Sequence, residues 1–105
     1  MDLTDKVAIV TGGNGGLGQR ICHALANAGC KIAAVYGKSK EQAEGVAEEL
    51  PTEAIAVQCN LLEPDQISGM AQQVLDHFGR IDVLINDAAY NKWIPFDDLD
   101  AMSDR

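Results

Sequence analysis

The chain has 105 residues, and its 8 basic and 16 acidic side chains give a formal net charge of −8. This excess of negative charge argues against a nucleic acid or an anionic membrane as a partner. The composition, with 47% apolar and 23% charged residues, is typical of a globular protein, and the length allows one domain at most. There is no apolar run of membrane-spanning length and no signal-peptide pattern at the start. We therefore expect a cytoplasmic protein.

Three cysteines, Cys22, Cys30 and Cys59, lie far apart in or beside apolar segments. An odd number at such spacing indicates buried, reduced thiols rather than a disulfide framework. No metal site is predicted.

A glycine-rich stretch, TGGNGGLG at residues 11–18, stands between a β-branched run at 6–10 and a segment whose apolar residues recur with helical spacing. Glycines permit positive φ and a close approach of the backbone to another group. The helix that begins near Gly16 directs unpaired N–H groups and the positive end of its dipole at this turn. We therefore expect an anionic occupant here, namely a pyrophosphate.

The same stretch fits three nucleotide-binding fingerprints. It contains G-x-G-x-x-G at 13, 15 and 18, T-G-x-x-x-G-x-G at 11, 12, 16 and 18, and T-G-x-x-G-x-x-G at 11, 12, 15 and 18. The motif alone leaves the choice between them open.

Strands and helices alternate along the chain. Strands are predicted at 6–10, 31–36, 54–59 and 81–85. Helices are predicted to begin near Gly16, after a cap at Ser39 and at Pro64. Ser39 has capping-box spacing to Gln42. A loop follows from Tyr90, with a helix starting near Asp97. This alternation predicts an α/β fold, a partial doubly wound Rossmann-like parallel sheet in the order 3-2-1-4. The order brings the glycine stretch beside residues 86–89.

Together, KVAIVTGGNGGLG, CNLLEPDQI and IDVLINDAA resemble the N-terminal half of the classical short-chain dehydrogenase/reductase family, over essentially the whole chain. The resemblance selects the T-G-x-x-x-G-x-G register, because the classical type has N-N-A-G where this chain has N-D-A-A at 86–89. It implies the cofactor-binding half of an oxidoreductase that transfers hydride between a nicotinamide and a carbonyl or alcohol substrate. Residues 1–105 are then the N-terminal part of a single dinucleotide-binding domain. The family's catalytic residues lie beyond Arg105, so no catalytic residue is expected here.

The resemblance also implies which residues contact the dinucleotide. Asn60 and Leu61 would border the adenine, although Asn60 could instead cap a loop and Leu61 could belong to the core. Asn60 stands where the family usually has aspartate. Asn86 and Ala88 would lie against the ribose and phosphates. The pyrophosphate and adenosine ribose would be held by the glycine motif, that is by Gly12, Asn14, Gly15, Gly16, Leu17 and Gly18.

The loop after the second strand bears on the choice of cofactor. In this fold an acidic residue about 20 positions after the glycines binds the 2′-hydroxyl of NAD, whereas a basic residue accommodates the 2′-phosphate of NADP. The loop contains Lys38 and Ser39 and has no carboxylate before Glu41. We therefore predict NADP rather than NAD, with Lys38 and Ser39 at the 2′-phosphate. The alternative is a solvated lysine and a serine that only caps a helix.

Two other functions remain open. One is a non-catalytic nucleotide-binding module, and the other is a fragment of an extended-type sugar epimerase or dehydratase, which the T-G-x-x-G-x-x-G register permits. In either case the partner is a dinucleotide, with a small-molecule substrate in an intact enzyme. The fourth strand is rich in valine, leucine and isoleucine and lies at an edge in the predicted order, so we also expect self-association.

Overall fold

The computed structural model describes residues 2–12 and 15–86. Within them the chain forms alternating strands and helices, and every strand and helix predicted before residue 87 is confirmed. The helix predicted near Asp97 lies outside the described residues. The elements are β1 (Val7–Thr11), α1 (Gly16–Asn27), β2 (Lys31–Tyr36), α2 (Lys40–Glu49), β3 (Ala54–Gln58), α3 (Pro64–Phe78) and β4 (Val83–Asn86).

The four strands form one parallel sheet in the order β3-β2-β1-β4, as predicted. β1 therefore lies between β2 and β4. At its carboxyl end Thr11 is the register partner of Val35 on one side and of Asn86 on the other. This register sets the ends of three strands level, at the edge of the sheet where the glycine turn begins.

Two apolar clusters cover the two faces of the sheet. β1 is buried along its whole length, because its alternate residues belong to different clusters. On one face α1 and α2, with Leu50 at the C-cap of α2, contribute Cys22, Ala26, Val46 and Leu50, which pack on Ala8, Val10, Cys30, Ile32 and Ala34. On the other face α3 contributes Met70 and Val74, which pack on Val7, Ile9, Ala33, Val35, Val57 and Cys59.

Turn residues fix where the elements begin and end. α3 has Pro64 in its first turn and ends at Gly79, whose φ of 86° is left-handed. Gly29 precedes β2 with a φ of 99°, and an added Cβ would lie 2.9 Å from the Cα of Thr4. Ser39 is the N-cap of α2, but its side chain makes no capping hydrogen bond. The predicted capping box is therefore wrong, because the Ser39 ψ of 72° departs from the extended backbone that normally aims a capping hydroxyl at the helix.

The three cysteines are buried and unpaired, as predicted. Burial raises the pKa of each thiol, that of Cys22 to about 11. Across the described ranges, no helix is long and apolar enough to cross a bilayer.

Candidate functional site

The turn between β1 and α1 is built from backbone hydrogen bonds. The Gly12 N–H donates to the Val35 carbonyl at 2.9 Å, and the Gly15 N–H donates to the Gly12 carbonyl at 2.9 Å. Gly12 has a φ of 70°, a conformation that costs other residues energy. These two bonds hold Gly12 against the end of β2 and Gly15 against Gly12. Asn14 lies outside the described residues.

The first turn of α1 opens toward solvent. Gly15 is the N-cap, Gly16 and Leu17 are exposed, and Gly18 is buried. Among the described residues no side chain caps this helix, and its first turn carries no acidic residue. The first N–H groups of a helix have no acceptor within the helix, and they add to the positive end of its dipole. This end of α1 can therefore hold an anion.

The space around Gly16 indicates whether a ligand could approach the backbone closely at this turn. An added Cβ would meet no described atom within 4 Å, and the φ of Gly16 is not in the left-handed region. At Gly15 the nearest atom to an added Cβ is the Gly12 carbonyl oxygen, at 3.4 Å. Neither packing nor backbone conformation within the described chain requires glycine at position 16. Close approach by an external group is a physical reason for it, so the turn fits a pyrophosphate.

A hydrogen bond joins the ends of β1 and β4. The Thr11 hydroxyl donates to Asn86 Oδ1 at 2.9 Å and also lies 3.3 Å from the Ile85 carbonyl oxygen. Thr11 is only 3% exposed, whereas Asn86 is exposed. The contact occupies the oxygen of the Asn86 carboxamide and directs its N–H₂ group away from Thr11. The glycine turn and Asn86 are thus adjacent, while Ala88 lies outside the described residues.

The loop after β2 reaches the same edge of the sheet. Lys38 and Ser39 are exposed and line a surface depression of about 550 Å³ together with residues 40–42. Lys38 forms no ion pair with any described residue. Because the Gly12 N–H binds the Val35 carbonyl, this loop and the glycine turn start from neighbouring strand ends.

The loop after β3 contains the two residues predicted at the adenine. Asn60 Oδ1 accepts a hydrogen bond from the Leu62 N–H at 3.0 Å, and the backbone N–H of Asn60 donates to Gln66 Oε1 at 2.8 Å. Leu61 is half-buried against the cluster under α3. Asn60 therefore does cap the loop, and Leu61 does pack on the core. Sequence analysis missed Gln66, although a glutamine in the first turn of a helix commonly reaches back to a preceding N–H.

The sequence contains a Tyr-x-x-x-Lys spacing at Tyr36 and Lys40, which on a helix would place the two side chains about one turn apart. Tyr36 is the last residue of β2 and only 8% exposed, whereas Lys40 is the first residue of α2. The spacing therefore does not place the two side chains one turn apart on a helix. Nor do the described residues contain a group of three or more histidine, cysteine or acidic side chains that could hold a metal ion.

An ion pair between Arg80 and Asp82 lies at the opposite, amino end of the β1–β4 pair. Asp82 accepts two hydrogen bonds from Arg80, both at 2.8 Å, and one from the Val7 N–H at 2.9 Å. The Arg80 guanidinium, followed by the Val7 N–H, holds the pKa of Asp82 below its usual value. This contact helps to fix the position of β4 and lies at the end of the strand pair opposite the site.

Comparison with known proteins agrees with this geometry. A sequence model of short chain dehydrogenases matches residues 6–103. The short-chain dehydrogenase/reductase homolog YusS of Bacillus subtilis is 32% identical in an alignment of 107 positions that covers 99% of this chain and 98% of that protein. The 3-oxoacyl-[acyl-carrier-protein] reductase FabG of Staphylococcus epidermidis is 38% identical in an alignment of 91 positions that covers 84% of this chain and 37% of that protein.

Solved structures give the same result. A short-chain dehydrogenase/reductase of Serratia marcescens superposes with a TM-score of 0.82 at 31% identity, covering 97% of this chain and 45% of that one. A short chain dehydrogenase of Burkholderia cenocepacia, in complex with NADP, superposes with a TM-score of 0.81 at 36% identity, covering 93% and 41%. The chain thus spans less than half of these longer relatives. It belongs to the short-chain dehydrogenase/reductase family.

Proposed function

We propose that this chain is the cofactor-binding half of an NADP-dependent short-chain oxidoreductase, and that residues 1–105 are the N-terminal part of one dinucleotide-binding domain. The observation that carries the proposal is the uncapped start of α1 beside the Thr11–Asn86 contact. This edge lies between β1 and β4, where the strand order reverses and open α/β sheets bind their ligands. A 3-oxoacyl-[acyl-carrier-protein] reductase among the relatives supports an oxidoreductase, and a short chain dehydrogenase in complex with NADP supports a dinucleotide cofactor.

In this proposal the described residues bind and orient the dinucleotide. Backbone groups around Gly15, Gly16 and Leu17, at the start of α1, hold the pyrophosphate and the adenosine ribose. The N–H₂ group of Asn86 faces the ribose and phosphates, with Asn14 and Ala88 assigned beside it by resemblance. When bound, the dinucleotide supplies or accepts the hydride. The substrate is a small carbonyl or alcohol compound.

The cofactor is proposed to be NADP, with Lys38 and Ser39 at its 2′-phosphate. Lys38 has no ionic partner among the described residues, and the Ser39 hydroxyl makes no capping bond, so both groups are available to a phosphate. A hydrogen bond to a charged group contributes about 1.5–3 kcal/mol, so we expect wild type to bind NADPH about tenfold or more tightly than NADH.

Fluorescence titration of both cofactors tests this choice. Lys38→Asp should abolish the preference for NADPH, because it replaces the attraction to the phosphate by repulsion. Lys6→Asp is the matched control, since it changes the net charge equally at the amino end of the sheet. Equal affinity of wild type for the two cofactors would contradict the proposal.

No catalytic residue is assigned within this chain. A carbonyl reduction needs a proton donor within hydrogen-bond reach of the substrate oxygen, with a pKa moved toward neutrality. We expect NADPH oxidation no faster than the buffer blank across a panel of carbonyl substrates, and recovery of turnover when a separately expressed C-terminal half of a close relative is added. Turnover by the chain alone that is lost in Tyr90→Phe or Tyr36→Phe would show that the active site is misassigned.

A non-catalytic nucleotide-binding module is the second candidate. The match to 98% of the B. subtilis homolog favours it, because that relative has nearly the same extent. The two candidates differ in one result. A non-catalytic module binds NADPH but stays inactive when a C-terminal half is added. The cofactor-binding half of an oxidoreductase becomes active when a C-terminal half is added.

A further inference from the structure

The loop between β2 and α2 is held to the neighbouring strand by a side chain of β3. Gln58, the last residue of β3, is exposed, and its Nε2 donates a hydrogen bond to the Gly37 carbonyl oxygen at 3.2 Å. The backbone bonds between the two strands reach the Tyr36 carbonyl, which accepts from the Cys59 N–H at 3.0 Å. Gln58 thus extends the attachment of β2 to β3 by one residue, into the loop.

This hydrogen bond fixes the peptide unit to which Lys38 belongs. The Gly37 carbonyl and the Lys38 N–H and Cα lie in one plane, because the peptide bond between them is planar. That plane would otherwise turn easily, since glycine has no Cβ and an added Cβ at position 37 would meet no described atom within 4 Å. Among the described residues, no other side chain bonds to residues 37–39. The position from which the Lys38 side chain leaves the loop therefore depends on Gln58.

We propose that Gln58 is a positioning residue that strengthens the preference for NADPH over NADH by holding Lys38 at the 2′-phosphate. The inference rests on the proposed function, in which Lys38 binds that phosphate. Ordering a long lysine side chain costs conformational entropy on binding, and a backbone that is already fixed lowers the total cost. NADH has a hydroxyl group in place of the phosphate, so its affinity does not depend on where Lys38 is held.

Replacing Gln58 by methionine tests this role, because methionine has a similar length and cannot donate a hydrogen bond. Gln72→Met is the matched control. Gln72 is an exposed glutamine of α3 whose Nε2 donates to Asp76 Oδ1 at 2.9 Å, so this variant loses the same kind of bond away from the loop. The readout is the dissociation constant of NADH divided by that of NADPH, both from fluorescence titration. A general loss of stability would weaken both cofactors together and leave this ratio unchanged.

We expect a ratio of about ten in wild type and in Gln72→Met, and a ratio about threefold lower in Gln58→Met, as for one lost hydrogen bond. The change should lie in NADPH affinity alone. A second comparison uses Lys38→Met as the starting protein, in which the charge that Gln58 positions is absent. There Gln58→Met should change the ratio by less than about twofold, because its effect acts through Lys38.

Gln58→Thr suits a strand, is too short to reach Gly37, and replaces Gln58→Met if that variant does not fold. A ratio that stays at the wild-type value without the Gln58 donor overturns the inference and leaves the proposed function standing. The same holds if the ratio falls equally in the Lys38→Met protein. Equal affinity of wild type for the two cofactors overturns both the inference and the proposed choice of NADP.

Discussion

Replacing Gly16 by alanine should stabilise the protein and weaken the binding of the dinucleotide. Alanine favours helix over glycine by about 1 kcal/mol in a helix interior, and because Gly16 is the first residue of α1 we expect a gain of about 0.5 kcal/mol. The new Cβ would meet no described atom within 4 Å, so it adds no internal clash. It would instead occupy space proposed for the pyrophosphate. Loss of one charge-assisted hydrogen bond, about 1.5–3 kcal/mol, lowers affinity about tenfold to a hundredfold.

Gly45 and Gly69 are matched controls for this prediction. Each lies in a helix, in α2 and α3 respectively, and an added Cβ at either position meets no described atom within 4 Å. Alanine at these positions should raise the free energy of unfolding by about 1 kcal/mol and leave NADPH affinity unchanged. Urea unfolding and NADPH fluorescence titration on the three variants measure both quantities. Wild-type affinity in Gly16→Ala would refute the reasoning about close approach at this glycine.

Three further predictions concern stability and assembly. Gly29→Ala should destabilise the protein by about 2 kcal/mol or more in urea unfolding, because its φ is left-handed and its Cβ would overlap Thr4; a smaller loss would contradict the close contact. The pKa of Asp82 is lower in the folded protein than the ordinary aspartate pKa of about 3.9, so the ionised carboxylate stabilises the fold. This stabilisation is fully present above about pH 3.9 and is lost as the pH falls through the lower pKa of the folded state. Asp82→Asn should therefore reduce the fall of the unfolding midpoint as the pH drops below about 4, and an unchanged fall would rule this contribution out. Leu84 is 62% exposed on the edge strand β4, so Leu84→Lys should reduce self-association in light scattering; a wild-type chain that is already a stable monomer would exclude this interface.

Much of this fold could be predicted because its determinants are local. The β-branched residues of β1 and β2 mark strands that are buried on both faces, and Pro64 and Gly79 mark the two ends of α3. Once strands and helices alternate, the rule for crossovers leaves few possible strand orders. The neighbouring positions of the glycine turn and Asn86 follow from that order.

The side-chain contacts could not be predicted, because they depend on distances that only the folded chain defines. Thr11 and Asn86 are 75 positions apart, and so are Val7 and Asp82. The wrong prediction of a capping box at Ser39 has the same origin. Correct spacing makes such a box possible, but the backbone angle at Ser39 decides whether the hydroxyl reaches the helix.

The position of Asn86 at the site depends on the register of a very short strand. β4 has four residues, and within the described chain it pairs with β1 alone. A slip of one residue would exchange its two faces and move Asn86 by about 3.3 Å along the strand. Side-chain hydrogen bonds oppose that slip at both ends, from the Val7 N–H to the Asp82 carboxylate and from the Thr11 hydroxyl to Asn86 Oδ1. The geometry of the site is therefore maintained in part by a contact at the far end of the same strand pair, because the ladder between them is too short to specify the register well by itself.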